Sequence, residues 1–342
     1  MKSPALPYES AWIVTNACNL KCLHCFYDCT ERPEGDELSP QASRLILDNL
    51  RRLNQMFILF MGGEPFLRSD FIDLLSLATR SFCCYVYTNG TLISSNLASA
   101  LREARVNAVF INVLGASAKL HDSLTGVPGS LDQTVEGIKA LVKAGVRVIV
   151  TTVLMKPNIP DVPEITELAT SLGASKVNFL RFFPIGRGNT NKTTLEPDVD
   201  ELRNAVEQIR LLGKRSSIEV GHPYFPRIHN CCKLMYTICA NGDVASCSYL
   251  RNFQRFGSLL RQDVAEVWNS DAFCSFRETV PHGRCQACPN LKSCGGGCRA
   301  SAYLATSRWD APDPFCFFMP EEATNGMHEE TIAKSGSTDS VS

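Results

Sequence analysis

The first half of the chain alternates between two hydrophobic periods. Residues 11–16, 56–61, 83–88, 108–114, 146–154 and 176–182 form short runs that are almost continuously apolar or β-branched. Between them, residues 39–54, 70–80, 94–105, 131–144 and 162–172 space their apolar positions three and four apart. The runs read as strands and the spaced stretches as amphipathic helices. Local punctuation agrees. Ser39 before Pro40 suits an N-cap and a first helical position. Gly145 and Gly173 close two helices, and Gly62-Gly63, Asn89-Gly90 and Gly115 end strands. Strands apolar on both faces belong to a parallel sheet covered by helices. Six such units predict an α/β fold, a partial (β/α)6 barrel left open because closure takes eight. Ligands of such sheets sit at the carboxyl ends of the strands. The loop beginning at Cys18, the glycine turns and residues 186–188 are therefore expected at one mouth.

The pattern changes after a further helix at 198–212. From residue 221 long periodic segments give way to turns, with Asn241-Gly242 marking a hairpin between 238–241 and 243–248. The polar tail 321–342 has too little apolar surface to order itself. The expected organisation is a barrel over 8–190, a linker helix within 191–220, a small cysteine-rich domain over 221–320 and a disordered tail.

Charge adds exclusions. The 342 residues carry 34 Lys and Arg against 35 Asp and Glu, so no basic field would recruit nucleic acid or an anionic membrane. No apolar run approaches the ~20 residues of a membrane span. The start lacks a signal peptide's apolar core, which places the expected protein in the cytoplasm. Sixteen cysteines then change the picture, because thiols clustered in a reducing compartment hold metal more often than they form disulfides.

Cys18, Cys22 and Cys25 follow the first strand with the spacing C-x3-C-x2-C. Three soft thiolates can hold three irons of a [4Fe–4S] cluster and leave the fourth iron open. A zinc site completed by His24 or Cys29 is the alternative on spacing alone. The motif, set after a strand and before a (β/α) repeat, resembles that of the radical SAM superfamily. The resemblance implies that the open iron binds S-adenosylmethionine, whose one-electron cleavage gives a 5′-deoxyadenosyl radical. Gly62-Gly63-Glu64-Pro65 is similar to the family's GGEP motif, implied to meet the methionine amino group, with Glu64 orienting backbone donors. Asn89 matches the end of the third strand, and Arg181 on the sixth is implied to reach the methionine carboxylate or the SAM pocket as a bidentate donor. The fourth strand departs from the family pattern: Asn112-Val-Leu-Gly115 leaves Asn112 to bind a ribose hydroxyl, while Leu114 stands where relatives carry Asp.

A second set of cysteines runs Cys232-x9-Gly242-x4-Cys247, then Cys285-x2-Cys288-x5-Cys294-x3-Cys298, then Cys316. It resembles the seven-cysteine SPASM domain, which holds two auxiliary Fe–S clusters. By that resemblance Cys285, Cys288, Cys294 and Cys316 ligate one [4Fe–4S] cluster, and Cys232, Cys247 and Cys298 the other. The second lacks an assigned fourth ligand, with Cys231, Cys239, His229 or substrate as candidates and a [2Fe–2S] form as an alternative. Two zinc sites are the bland reading. Of the remaining cysteines, 83, 84 and 274 read as buried thiols, and 29, 231 and 239 as neighbours of the clusters, able to donate a hydrogen atom. His121-Asp122 reads as capping chemistry, and Arg187 as either a substrate anchor or a brace.

The expected function is a radical SAM/SPASM oxidoreductase or maturase that oxidises or crosslinks its substrate. Peptide maturation leads the substrate classes, ahead of aminosugar or tetrapyrrole oxidation or epimerisation by the same chemistry. Its partners would be that substrate and an electron donor such as flavodoxin or ferredoxin. A non-catalytic zinc-binding interaction module is the reading from another class.

Overall fold

The computed structural model describes residues 6–316 apart from 33, 34, 36, 54 and 223–232. Cys231, Cys232, His229 and the tail 321–342 lie outside the described residues. Six parallel strands appear where the apolar runs place them: β1 (Glu9–Ile13), β2 (Phe57–Met61), β3 (Cys83–Thr88), β4 (Ala108–Asn112), β5 (Val148–Leu154) and β6 (Lys176–Arg181). The helices α1 (Pro40–Arg51), α2 (Phe71–Ala78), α3 (Ser95–Glu103), α4 (Ala118–Thr125), α5 (Ser130–Lys143) and α6 (Val162–Ser171) fall between them. Local chemistry sets their ends. Ser39 accepts a hydrogen bond from the Ala42 N–H, and Pro40 occupies the first turn of α1.

Strand alternation divides the sheet into two faces. Trp12, Phe60, Val86, Ile111, Val150 and Phe179 point to the helices and form the main core. Ile13, Met61, Tyr87, Asn112, Val153 and Leu180 have the opposite parity and face the inside of the curve.

Two features extend the sheet beyond six strands. The segment expected as a linker instead completes another crossover. After the one-turn helices α7 (Arg187–Thr190) and α8 (Lys192–Leu195), α9 (Val199–Gly213) buries Leu202, Ala205, Val206 and Ile209, and returns the chain to β7 (Glu219–Gly221), parallel to β6. Three residues are too few to show a period in sequence. On the other side, β8 (Met235–Ile238) pairs parallel with β1, and β9 (Asp243–Ala245) turns back at Gly242 as the Asn-Gly signal requires. With β10 (Gly257–Ser258) the order is β10-β9-β8-β1-β2-β3-β4-β5-β6-β7, one open ten-stranded sheet. The rest of the cysteine-rich region is short helices: α10 (Val264–Trp268), α11 (Asp271–Arg277), α12 (Leu291–Cys294) and α13 (Arg299–Thr306). Among the described residues no helix is long and apolar enough to cross a membrane.

Candidate active site

The loop after β1 carries Cys18, Cys22 and Cys25, and all three thiols line one cavity at the carboxyl ends of the strands. Backbone hydrogen bonds fix that loop from several sides. Cys18 N–H donates to the Thr30 carbonyl, while Lys21 N–H and Leu23 N–H donate to Thr125 and Leu124 at the end of α4. Gly62 and Gly63 permit the close approach of the turn after β2. A Cβ on either would collide with the backbone of Thr15 or Ala17. The Gly63 and Glu64 N–H groups donate to those carbonyls at 2.8 and 2.7 Å.

Glu64 is fully buried behind this turn. Its carboxylate accepts hydrogen bonds from the Thr88 hydroxyl and the Asn89 and Phe66 N–H groups, which ties the loops after β2 and β3 together. Burial pushes its carboxyl up to about 7, against the pull of these donors. Gly62, Gly63, Asn89 and Asn112 line the cavity, whereas the buried Glu64 and Pro65 support it from outside. The Asn89 amide bonds Asn19, whose own amide reaches Thr91, so Asn89 also braces the cysteine loop.

Arg187 is a brace. Its guanidinium donates to the Cys22 and Cys29 carbonyls at 3.0 and 2.8 Å. It is also a cation shared by the thiols. Burial pushes Cys18 up to about 11 and Cys22 higher still, and Arg187 opposes both shifts. Cys29 is buried against Cys18 and Cys25, and its hydrogen bond holds the Cys25 thiol down. His24, in the same cavity wall, is pushed down to about 4 by burial, and its Nδ1 has no hydrogen-bond partner among the described residues. His121 and Asp122 perform capping. Asp122 accepts from Gly129 N–H, Ser130 Oγ and Leu131 N–H at the start of α5, and His121 Nδ1 accepts from Leu114 N–H.

Arg181 departs from expectation. It shares the parity of Val177 and Phe179, so it points away from the cavity that Leu180 lines. Its guanidinium instead makes a bidentate pair with the Asp313 carboxylate, 2.8 Å at each nitrogen, and does not supply a ligand contact in the cavity.

The second group of cysteines gathers beside this pair. Burial pushes the Cys285 thiol up, with Cys316 and Cys294 near enough to add to the shift. Burial likewise raises Cys294, whose sulfur accepts from the Gly296 and Gly297 N–H groups. Burial drives the Tyr249 phenol well above its ordinary value, with Tyr87, Cys298 and Cys247 near enough to add to the shift. Tyr249 stacks on Phe183 at 3.8 Å and meets Phe26 of the first loop at 4.6 Å. No periodicity marks this aromatic, and the sequence reading missed it. Cys84 is buried in the core, and Cys274 lies on α11 beside Arg277. Cys239 is buried in the hairpin near Arg251, and burial pushes it up to about 11.

This donor set suits iron–sulfur clusters. Three thiols from one loop face a cavity walled by Met61, Tyr87, Val153 and Leu180 together with Thr88, Asn89 and Asn112, with a bare glycine backbone on one side and an unpartnered imidazole nitrogen on another.

Residues 12–169 match the model of the radical SAM superfamily, and residues 231–289 match SPASM, an iron–sulfur cluster-binding domain. An AdoMet-dependent heme synthase of Oleidesulfovibrio alaskensis is 30% identical over 91% of this chain and 87% of its own length. The protein is a radical SAM enzyme with a SPASM domain. Its cofactors are S-adenosylmethionine and iron–sulfur clusters. Another relative of the enzyme is the mycofactocin maturase MftC of Mycobacterium tuberculosis, 30% identical over 91% of this chain and 83% of the relative. The structure of Streptococcus suis SuiB bound to S-adenosylmethionine shares the fold, with a TM-score of 0.77 at 19% identity over 92% of this chain and 78% of that one.

Proposed function

We propose that Cys18, Cys22 and Cys25 hold a [4Fe–4S] cluster with one iron left for S-adenosylmethionine, and that the protein oxidises or crosslinks a peptide. The cluster and its ligand would supply the 5′-deoxyadenosyl radical that removes a substrate hydrogen. The residues of the chain do the positioning. The bare backbone of Gly62 and Gly63 leaves room for the methionine end, and Glu64 and Pro65 hold that turn from behind. Asn89 fixes the loop, and the Asn112 amide can both donate to and accept from a ribose hydroxyl. Met61, Tyr87, Val153 and Leu180 keep water from the reacting atoms. Cys285, Cys288, Cys294 and Cys316 would hold one auxiliary cluster, and Cys232, Cys247 and Cys298 a second. The electron donor would be a flavodoxin or ferredoxin, and the compartment the cytoplasm.

The observation that carries this reading is the meeting of three thiols and two glycines at one cavity on the carboxyl edge of the sheet. The mycofactocin maturase supports a peptide substrate. A tetrapyrrole is the second reading, favoured by the equal identity to the heme synthase. Anaerobic incubation with S-adenosylmethionine and dithionite should yield 5′-deoxyadenosine; no product would refute the proposal. Loss of two hydrogens from a peptide encoded beside this chain favours the first substrate class, and the same loss from a tetrapyrrole the second.

A further inference from the structure

Arg181 leaves the last position of β6 and crosses into the cysteine-rich region, where one carboxylate gathers most of the contacts. Asp313 Oδ2 accepts from Arg181 Nη1 and from the Cys298 N–H, both at 2.8 Å. Its Oδ1 accepts from Arg181 Nη2 at 2.8 Å and from the Phe315 N–H at 3.0 Å. The Asp313 carbonyl accepts from the Cys316 N–H at 3.2 Å and from Arg284 at 2.9 Å. Arg181 Nη2 also donates to Ser301 Oγ at 2.5 Å, on the helix that starts directly after Cys298. The guanidinium lies 4.7 Å from the Phe315 ring centre and 5.5 Å from that of Phe183. Gly297 makes room, since a Cβ there would strike the Asp313 side chain. Both partners are buried, with side chains 6% and 5% exposed.

One ion pair therefore touches the backbone of Cys298 directly, and that of Cys316 through Asp313. It starts one residue from Leu180 in the cavity wall. A fork-shaped cation and a fully satisfied carboxylate fix direction as well as distance. A buried charge beside a thiolate ligand also tunes whatever metal the thiolate holds. We propose that Arg181 and Asp313 are a positioning pair that fixes Cys298 and Cys316 relative to the radical cavity and whose opposed charges balance the potentials of the two auxiliary sites these cysteines serve. The proposal rests on the reading of these cysteines as cluster ligands.

The test uses the full chain, reconstituted anaerobically with iron and sulfide, and reads iron per chain, the electron paramagnetic resonance signal of each reduced cluster and its midpoint potential at pH 8. Arg181→Met leaves a bare carboxylate beside the ligands and should lower the auxiliary potentials. Asp313→Asn leaves an uncompensated cation and should raise them. Arg181→Lys keeps the charge without the fork and should shift them least. The signal of the cluster on Cys18, Cys22 and Cys25 should not move. A merely structural brace gives no such opposition of sign. Unchanged potentials, or shifts in one direction for both charge-removing variants, would overturn the pairing. If Arg181→Met does not fold, Asp313→Asn and Arg181→Lys decide: wild-type potentials in both overturn it, and a rise confined to Asp313→Asn supports it. Cys298→Ala and Cys316→Ala should each lower iron per chain. Unchanged iron there would instead remove the ligand reading on which the proposal stands.

Discussion

The two cysteine regions are held in different ways. The loop at residues 15–30 is bound by main-chain hydrogen bonds to the turn after β2 and to the end of α4, with Arg187 and Arg251 as added side-chain braces. The segment at 285–316 has short helices, three successive glycines at positive φ and side-chain ties from Arg181, Arg284 and Arg299. Backbone pairing with a sheet is fixed once the sheet forms. Side-chain ties around clustered thiols leave more of the geometry to the metal itself, whose binding energy then becomes folding energy. On that basis the first loop should keep its shape without metal, and the 285–316 segment should not.

The largest effect should come from Cys18→Ala, which removes a first-site thiol without disturbing the sheet. Formation of 5′-deoxyadenosine is expected to fall beyond the ~10–100-fold that outer-shell losses cost, as measured by chromatography under anaerobic reduction. Activity within tenfold of wild type would break the comparison at its first half. Iron removal comes next. After chelation, limited proteolysis should cut first within 285–316, with 18–30 protected; the reverse order would break the second half.

Gly63→Ala sharpens the contrast, because it forces a Cβ into the Ala17 carbonyl. Overpacking of this kind costs about 1–3 kcal/mol or more, and denaturant unfolding of the metal-free chain should show it.

Taken per pH unit, the smallest effect concerns Glu64. Burial raises its folded carboxyl from 4.5 to about 7, so the folded chain keeps a proton that the unfolded chain releases. Its contribution therefore falls as pH rises from about 4.5 to about 7 and is flat above, at no more than ~1.4 kcal/mol per unit. Glu64→Gln should flatten that part of the unfolding-midpoint profile of the metal-free chain. A decline that persists would assign it to other groups.

Much of this was legible in sequence where the signal was local. β3 begins and ends at Cys83 and Thr88 as its apolar run does, and Ser39 caps α1 as its residue type suggests. The mouth was legible because glycine turns follow strands. Arg181 shows what was overlooked. The alternation through Val177 and Phe179 already placed it on the helix side, but its partner lies 132 residues away, and nothing local announces such a pair. β7 and the short helices of the cysteine-rich region stayed hidden because elements of three to eight residues carry too few turns or pleats to reveal a period.

The parallel pairing of β8 with β1 has a consequence for biogenesis. β1 keeps one edge unsatisfied until β8, which follows six further strands along the chain, has been made. Such an edge is a template for mispairing, and long-range parallel partners are slow to find one another. During synthesis the nascent protein would lean on chaperones at the very strand from which its reactive loop departs.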